Sequence, residues 1–289
     1  MKKLIVAISI TAVCFLALGT FFDLQIDTFL YNPESIFGKI FAALGMAPQL
    51  LVSFFAPAMA FAVIFVKRSE LKPLGAIIVV ILVLLLMATQ IKNIVSDIGE
   101  MLHLNFCFAA GIFAALFVCA FFAALPFAKN KPNEVFSTAV IGVFSFYIGI
   151  FILQLLKTEW GRQRFFTMES ERRSELFTSW YLPQGYPAAL NADHFKSFPS
   201  GHSFSSMFAV WFSLFPCFLC AEKNAKKYTK IIFALALIFG LTTMSSRLVL
   251  GRHFLSDVTM GASLSLFFIA LFKIIVDANY IKIKRLVFK

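Results

Sequence analysis

Residues 197–221 read SFPSGHSFSSMFAVWFSLFPCFLCA. A polar island of serine, proline, glycine and histidine opens directly into an apolar run. The same kind of junction occurs twice more: KTEWGRQR at 157–164 follows the apolar run Ser137–Leu156, and SRLVLGRHFLSD at 246–257 lies between Ile231–Leu250 and Val258–Val276. A helical residue rises about 1.5 Å and a bilayer core is about 30 Å thick, so about 18 apolar residues suffice to cross it. Outward from the quoted stretch, the chain offers eight runs of about that length: Leu4–Phe22, Leu50–Val66 with Pro57 inside it, Leu74–Ile91, Phe106–Leu125, Ser137–Leu156, Ser203–Ala221, Ile231–Leu250 and Val258–Val276. The expected fold is therefore all-α, a polytopic transmembrane helix bundle of about eight spans. Composition agrees, since 60% of the 289 residues are hydrophobic, only 14% are charged and mean hydropathy is +0.85.

Cytoplasmic loops of membrane proteins retain lysine and arginine. An N-terminus on the inner side places Lys2, Lys3, Lys67, Arg68, Lys72, Lys129, Lys131 and the basic segments 223–230 and 282–289 on that face. All three polar islands then fall together on the opposite side. The expectation is a multi-pass protein of the cytoplasmic (inner) membrane whose site faces the extracytoplasmic side. The net charge of +11 points to anionic lipid headgroups rather than nucleic acid, because the cations border spans or sit in the islands.

Cys14, Cys107, Cys119, Cys217 and Cys220 all lie in apolar runs. Cys217 and Cys220 have redox or metal spacing, but without a second pair or a nearby histidine they read as small, reduced apolar residues. The N-terminal run also resembles a signal peptide, with Ala17 and Gly19 ahead of a candidate cut; the many spans that follow favour an uncleaved first span. Residues 1–136 are expected to supply about four N-terminal spans. Residues 137–289 are expected to form a catalytic core with an extracytoplasmic loop at 157–202. Within that loop MESERRSELF (168–177) is expected as a short interfacial helix, flanked by Trp160, Phe165, Phe166, Phe177, Trp180, Tyr181 and Tyr186.

His253 and Asp257 stand four apart and share a helix face if the last span begins there. A carboxylate at that position can fix the imidazole tautomer and leave the other ring nitrogen free to attack phosphorus; the same spacing also suits a structural hydrogen bond. Arg247, six residues earlier, offers a bidentate grip on phosphate, or snorkels to headgroups. Arg252 reads as a snorkelling arginine. Pro199, Ser200 and Gly201 precede a helix whose first amides are unpaired, which makes an anion site with room for close backbone approach at Gly201. His202 can give a proton to a leaving oxygen, or simply cap the helix at the interface. Lys157 and Arg164 add cations, and Arg162 between them can substitute for either.

Taken in order, the three islands resemble the type-2 phosphatidic-acid phosphatase family, which includes vanadium haloperoxidases and bacterial lipid phosphatases. Lys157 and Arg164 match its first motif, Pro199 to His202 its second, and Ser246, Arg247, His253 and Asp257 its third, over about residues 137–276. The one departure is Phe165, where the family has proline, which puts the local turn in question rather than the cation. The resemblance implies a six-span core, a phosphohistidine formed on His253, orientation by Asp257 and proton donation by His202. Lys157, Arg164, Ser200, Gly201 and Arg247 would hold the phosphate, with no metal or cofactor.

The function expected is hydrolysis of a phosphomonoester or diphosphate on a lipid at the membrane face. Undecaprenyl diphosphate, phosphatidylglycerol phosphate, phosphatidic acid and lipid A phosphates all suit such a site. The same residues would serve a phosphotransferase that passes the phosphoryl group to a second lipid. A transporter would place its ionisable groups inside the spans, whereas these cluster at one edge. The haloperoxidases of the family are soluble, unlike this chain.

Overall fold

The computed structural model describes residues 2–73, 75, 77, 106–185 and 192–288, and among these the regular structure is helical, without strands. The helices are α1 (Lys2–Leu30), α2 (Ile36–Leu44), α3 (Ala47–Val66), α4 (Phe106–Asn130), α5 (Pro132–Trp160), α6 (Phe165–Glu171), α7 (Gly201–Met207), α8 (Pro216–Leu219), α9 (Glu222–Val249) and α10 (Leu255–Val287). A backbone in hydrocarbon has no water to bond with, so each crossing segment must satisfy its own N–H and C=O groups, which a helix does.

Among the described residues six helical stretches are long and apolar enough to cross a membrane: Val6–Leu30, Ile36–Val66, Pro132–Glu171, Gly201–Leu219, Glu222–Val249 and Leu255–Val287. They overlap the first, second, fifth, sixth, seventh and eighth of the expected runs. The third, Leu74–Ile91, lies outside the described residues except for Gly75 and Ile77. The fourth falls in α4, a helix of 25 residues. The protein is a multi-pass, all-α membrane protein.

Three local differences from the sequence expectation have physical causes. The run Ser203–Ala221 is not one α-helix: α7 gives way to a 3₁₀ stretch over Phe208–Leu214, and Pro216 then opens α8, proline being suited to a first turn where no N–H is needed. The interfacial helix begins earlier than MESERRSELF, at Phe165. It stops at Glu171, because Arg172 turns left-handed (φ 54°) and Arg173 N–H reaches back to the Met168 carbonyl at 2.9 Å. Pro57 sits inside α3 without ending it.

The chain divides into two compact units. One comprises Met1–Gln49, Ile148–Ser213 and Ile231–Phe268; the other comprises Leu50–Tyr147, Leu214–Lys230 and Ile269–Lys289. In the second, Phe61, Phe65 and Phe121 pack ring against ring, and the Lys131 ammonium donates to the Cys217 and Cys220 carbonyls at 3.0 and 3.2 Å, closing the end of α8. Cys14, Cys119, Cys217 and Cys220 are free thiols. All three polar islands belong to the first unit.

Candidate active site

The end of α9 is built to turn the chain sharply. Gly251 N–H bonds the Leu248 carbonyl at 2.8 Å and Arg252 N–H bonds the Arg247 carbonyl at 3.0 Å, with Gly251 at φ 60°. This paired closure needs a left-handed residue just past the helix, which glycine supplies without strain. It delivers His253 into the gap between α9 and α10, where the side chain is buried.

His253 Nδ1 lies 2.6 Å from the Ser197 carbonyl oxygen. A carbonyl only accepts, so the ring proton sits on Nδ1 and the lone pair on Nε2. The expectation that Asp257 takes this proton directly is corrected: its Oδ2 stands 4.0 Å from Nδ1. Asp257 instead accepts from Ser197 Oγ at 2.5 Å and from Phe254 N–H at 2.9 Å, while its other oxygen accepts from Arg162 at 2.6 Å. The carboxylate therefore grips the segment whose carbonyl meets the histidine, one residue removed from the ring.

The first island separates its two arginines. Arg162 is fully buried, and every guanidinium nitrogen is engaged: Nε with the Thr178 carbonyl, Nη1 with Asp257 and Ser256, Nη2 with Asp23 at 3.0 Å. Its guanidinium carbon also lies 4.1 Å from the Phe254 ring centroid. Arg162 is thus committed to protein groups and does not substitute for Lys157 or Arg164. Among the described residues Arg164 makes one ion pair, to Asp193 at 2.7 Å, and its buried Nε has no hydrogen-bond partner. Lys157 donates to the Lys196 carbonyl at 2.8 Å. Arg247 is buried, and its Nε likewise lacks a partner among the described residues. Arg252 lies over the Phe166 ring at 4.1 Å.

Phe165 resolves the departure in the first motif. Arg164 is extended (φ −82°, ψ 147°) and Phe165 opens α6, a position that accepts proline or any residue of ordinary helical φ. Its ring packs with Met168 and Phe254, against Tyr31 and Phe177. A core contact therefore holds the turn in place of proline's fixed φ.

In the second island Ser200 caps α7, its hydroxyl accepting from Ser203 N–H at 3.3 Å, and its own N–H donates to the Asp257 carbonyl at 3.0 Å. Half-buried His202 occupies the second position of the helix. A Cβ built on Gly201 meets nothing closer than Lys157 Cε at 3.8 Å, so protein packing does not require glycine there. Gly261 of α10 is the opposite case: a Cβ there would lie 2.2 Å from the Ser200 carbonyl oxygen.

The charges of Arg164, Lys157 and Arg247 act on His253. Burial first, and these three cations second, hold its pKa well below the ordinary histidine value. The ring is thus neutral at neutral pH and keeps the Nε2 lone pair.

Sequence reasoning missed Asp23, Ser197 and Ser256. A signal for Asp23 existed: Asp23 and Asp27 interrupt an apolar span in GTFFDLQIDTF, and ionisable residues within spans mark functional sites by default. Both are fully buried. Nothing in the sequence marks the two serines.

A helical membrane protein in which a buried, neutral histidine lies among three cations, Lys157, Arg164 and Arg247, is equipped to handle phosphate. The profile of the PAP2 superfamily matches residues 138–281, and the chain belongs to that superfamily. It is a phosphatase acting on phosphate esters. No curated protein and no solved structure matches the chain.

Two predictions follow from this geometry. Gly261→Ala should lower the thermal midpoint in detergent, overpacking of this kind costing about 1–3 kcal/mol, whereas Gly201→Ala should melt like the parent. Nuclear magnetic resonance on a chain with only four histidines can follow His253, assigned by its loss in His253→Ala. Its ring should remain neutral at pH values where an unfolded histidine, with pKa about 6.5, is already protonated. The stability present above that value should fall as pH drops from it through the folded-state pKa, since only the unfolded chain then takes up the proton.

Proposed function

We propose that the protein is a metal-independent lipid phosphate phosphatase that works through a phosphohistidine on the extracytoplasmic face of the membrane. The observation that carries this reading is the hydrogen bond from His253 Nδ1 to the Ser197 carbonyl, which leaves Nε2 as a nucleophile within a group of cations. Nε2 attacks phosphorus and the bond from phosphorus to the lipid oxygen breaks. His202 gives that oxygen a proton. Water then attacks the phosphohistidine, His202 takes a proton from it, and inorganic phosphate leaves with Nε2 restored. During both steps Lys157, Arg164, Arg247 and the Ser200–Gly201 backbone hold the phosphoryl oxygens, and the Ser197 carbonyl steadies the positive ring.

Positive side chains converge on the histidine, so phosphate charge is met by fixed cations rather than by a bridging metal. Arg164 is paired with Asp193, and phosphate would compete for the same guanidinium. The segment carrying Asp193, His194 and Lys196 is accordingly the candidate for reading the headgroup. The extracytoplasmic placement draws support from α1: Asp23 lies near its C-terminal end, while Lys2 and Lys3 lie at the other end of a 29-residue helix, about 43 Å long at 1.5 Å per residue.

Detergent-purified protein should release phosphate from one or more of phosphatidic acid, phosphatidylglycerol phosphate, undecaprenyl diphosphate and lipid A, at a rate unchanged by excess chelator. Abolition by chelator with rescue by magnesium or zinc would sink the mechanism. His253→Ala should lose turnover and covalent phosphate together. His202→Ala should slow an alkyl ester roughly 100-fold or more, with less effect on a leaving group that needs no proton; equal losses would make His202 a phosphate ligand. Gly201→Ala, folded as above, should weaken phosphate binding.

Topology has its own check. In a cysteine-free background, a cysteine at exposed Gln184 should react with an impermeant thiol reagent in intact cells, and one at exposed Lys227 should not. Labelling at Lys227 alone would invert the orientation.

A further inference from the structure

We propose that Asp23 of α1 is a positioning residue for the nucleophile, acting through Arg162, Ser256 and Asp257 on the Ser197 carbonyl that meets His253. This rests on His253 being the nucleophile. It adds a residue from outside the stretch that matches the superfamily, residues 138–281, and from a helix that bears none of the three motifs.

The chain of contacts is continuous and buried. Asp23 Oδ1 accepts from Ser256 N–H at 3.0 Å, and Oδ2 accepts from Arg162 Nη2 at 3.0 Å and from the Ser256 hydroxyl. Arg162 Nη1 joins Ser256 Oγ at 2.8 Å to Asp257 Oδ1 at 2.6 Å. Asp257 Oδ2 holds Ser197 Oγ, and Ser197 N–H is itself bound to the Arg162 carbonyl at 3.0 Å. The Ser197 carbonyl then takes His253 Nδ1–H. Asp23, Arg162, Ser197, Ser256, Asp257 and His253 are each no more than 1% exposed.

Among the described residues Gly19, Asp23 and Asp27 are the buried positions of α1, and burying two carboxylates and a guanidinium is a costly way merely to join helices. The cluster does what packing cannot. A single Arg162 bonded only to Asp257 would leave one side of its planar fork unconstrained; Asp23 on Nη2 and Ser256 on Nη1 set its plane, and with it the carboxylate that holds Ser197. Asp27 is a natural contrast. It lies one turn further along the same helix, is equally buried, and neither carboxylate oxygen has a hydrogen-bond partner among the described residues.

The test uses full-length protein in detergent with Asp23→Asn, which keeps shape and removes the charge; Ser256→Ala, which removes one shared hydroxyl; and Asp27→Asn as the contrast. Each is assayed for thermal midpoint, kcat and KM on the best lipid phosphate, and the Nδ1–H resonance of His253. Slight misplacement of a reacting group costs up to roughly 100-fold, so Asp23→Asn should lower kcat by about 10- to 100-fold with KM little changed, and should shift or broaden the Nδ1–H signal. Ser256→Ala should move both readouts the same way by less, and Asp27→Asn should move neither. Parental kcat per folded molecule in Asp23→Asn, with an unaltered Nδ1–H signal, overturns the proposal. So does failure of both Asp23→Asn and Ser256→Ala to fold, which would make the cluster purely structural. Retained turnover in His253→Ala would instead remove the nucleophile reading itself, whatever Asp23 does.

Discussion

Arg162 buried between Asp23 and Asp257 is the constraint on which the site depends. The guanidinium touches α1, α10 and the segment after α6 at once, since it also bonds the Thr178 carbonyl and faces the Phe254 ring. Such a cluster contributes little net stability compared with apolar residues of the same volume. Removing one member is another matter, because it leaves an uncompensated buried charge at a cost of about 3–5 kcal/mol. The arrangement therefore behaves as a lock: weakly favourable when complete and strongly unfavourable when broken.

From that lock the geometry spreads outward. Asp257 is fixed by Arg162 on one oxygen and fixes Ser197 and the Phe254 amide with the other. Ser200 and Asp257 are joined through their backbones, and Gly261 lets the Ser200 carbonyl come close to α10. Trp160 and Trp180 pack on Phe198, and Trp180 reaches back to Thr20 of α1 at 2.9 Å. The histidine-bearing turn and the Ser200–Gly201 turn are thus held relative to each other by polar bonds inside and aromatic packing outside.

A division of labour among the cations results. Arg162 has its donors engaged by fixed acceptors and is a structural charge. Arg164 and Arg247 are buried or nearly so, and each keeps a nitrogen without a partner among the described residues. Unsatisfied buried donors are expensive, and they persist most readily where a ligand is to be met. Two arginines two positions apart in sequence thus have opposite characters, and the difference lies in what surrounds them.

The sequence alone determined the all-α membrane class and the grouping of three polar islands, because apolar run length and motif spacing are local properties. Lys157, Arg164, Ser200, Gly201, His202, Arg247, His253 and Asp257 were legible for the same reason, each belonging to a short motif. Tertiary structure decided what long-range contact alone can set. It placed Asp23 beside Arg162, 139 positions away, and Ser197 between Asp257 and His253, 60 and 56 positions away. It broke the Ser203–Ala221 run into α7, a 3₁₀ stretch and α8, and let Phe165 stand for proline by packing on Phe254. Helical periodicity put Asp257 on the face of His253, but a carbonyl from a distant segment reached the ring nitrogen first. A hydrogen bond goes to the acceptor that folding brings into range and line, and that choice is not encoded in the spacing of the donor's own neighbours.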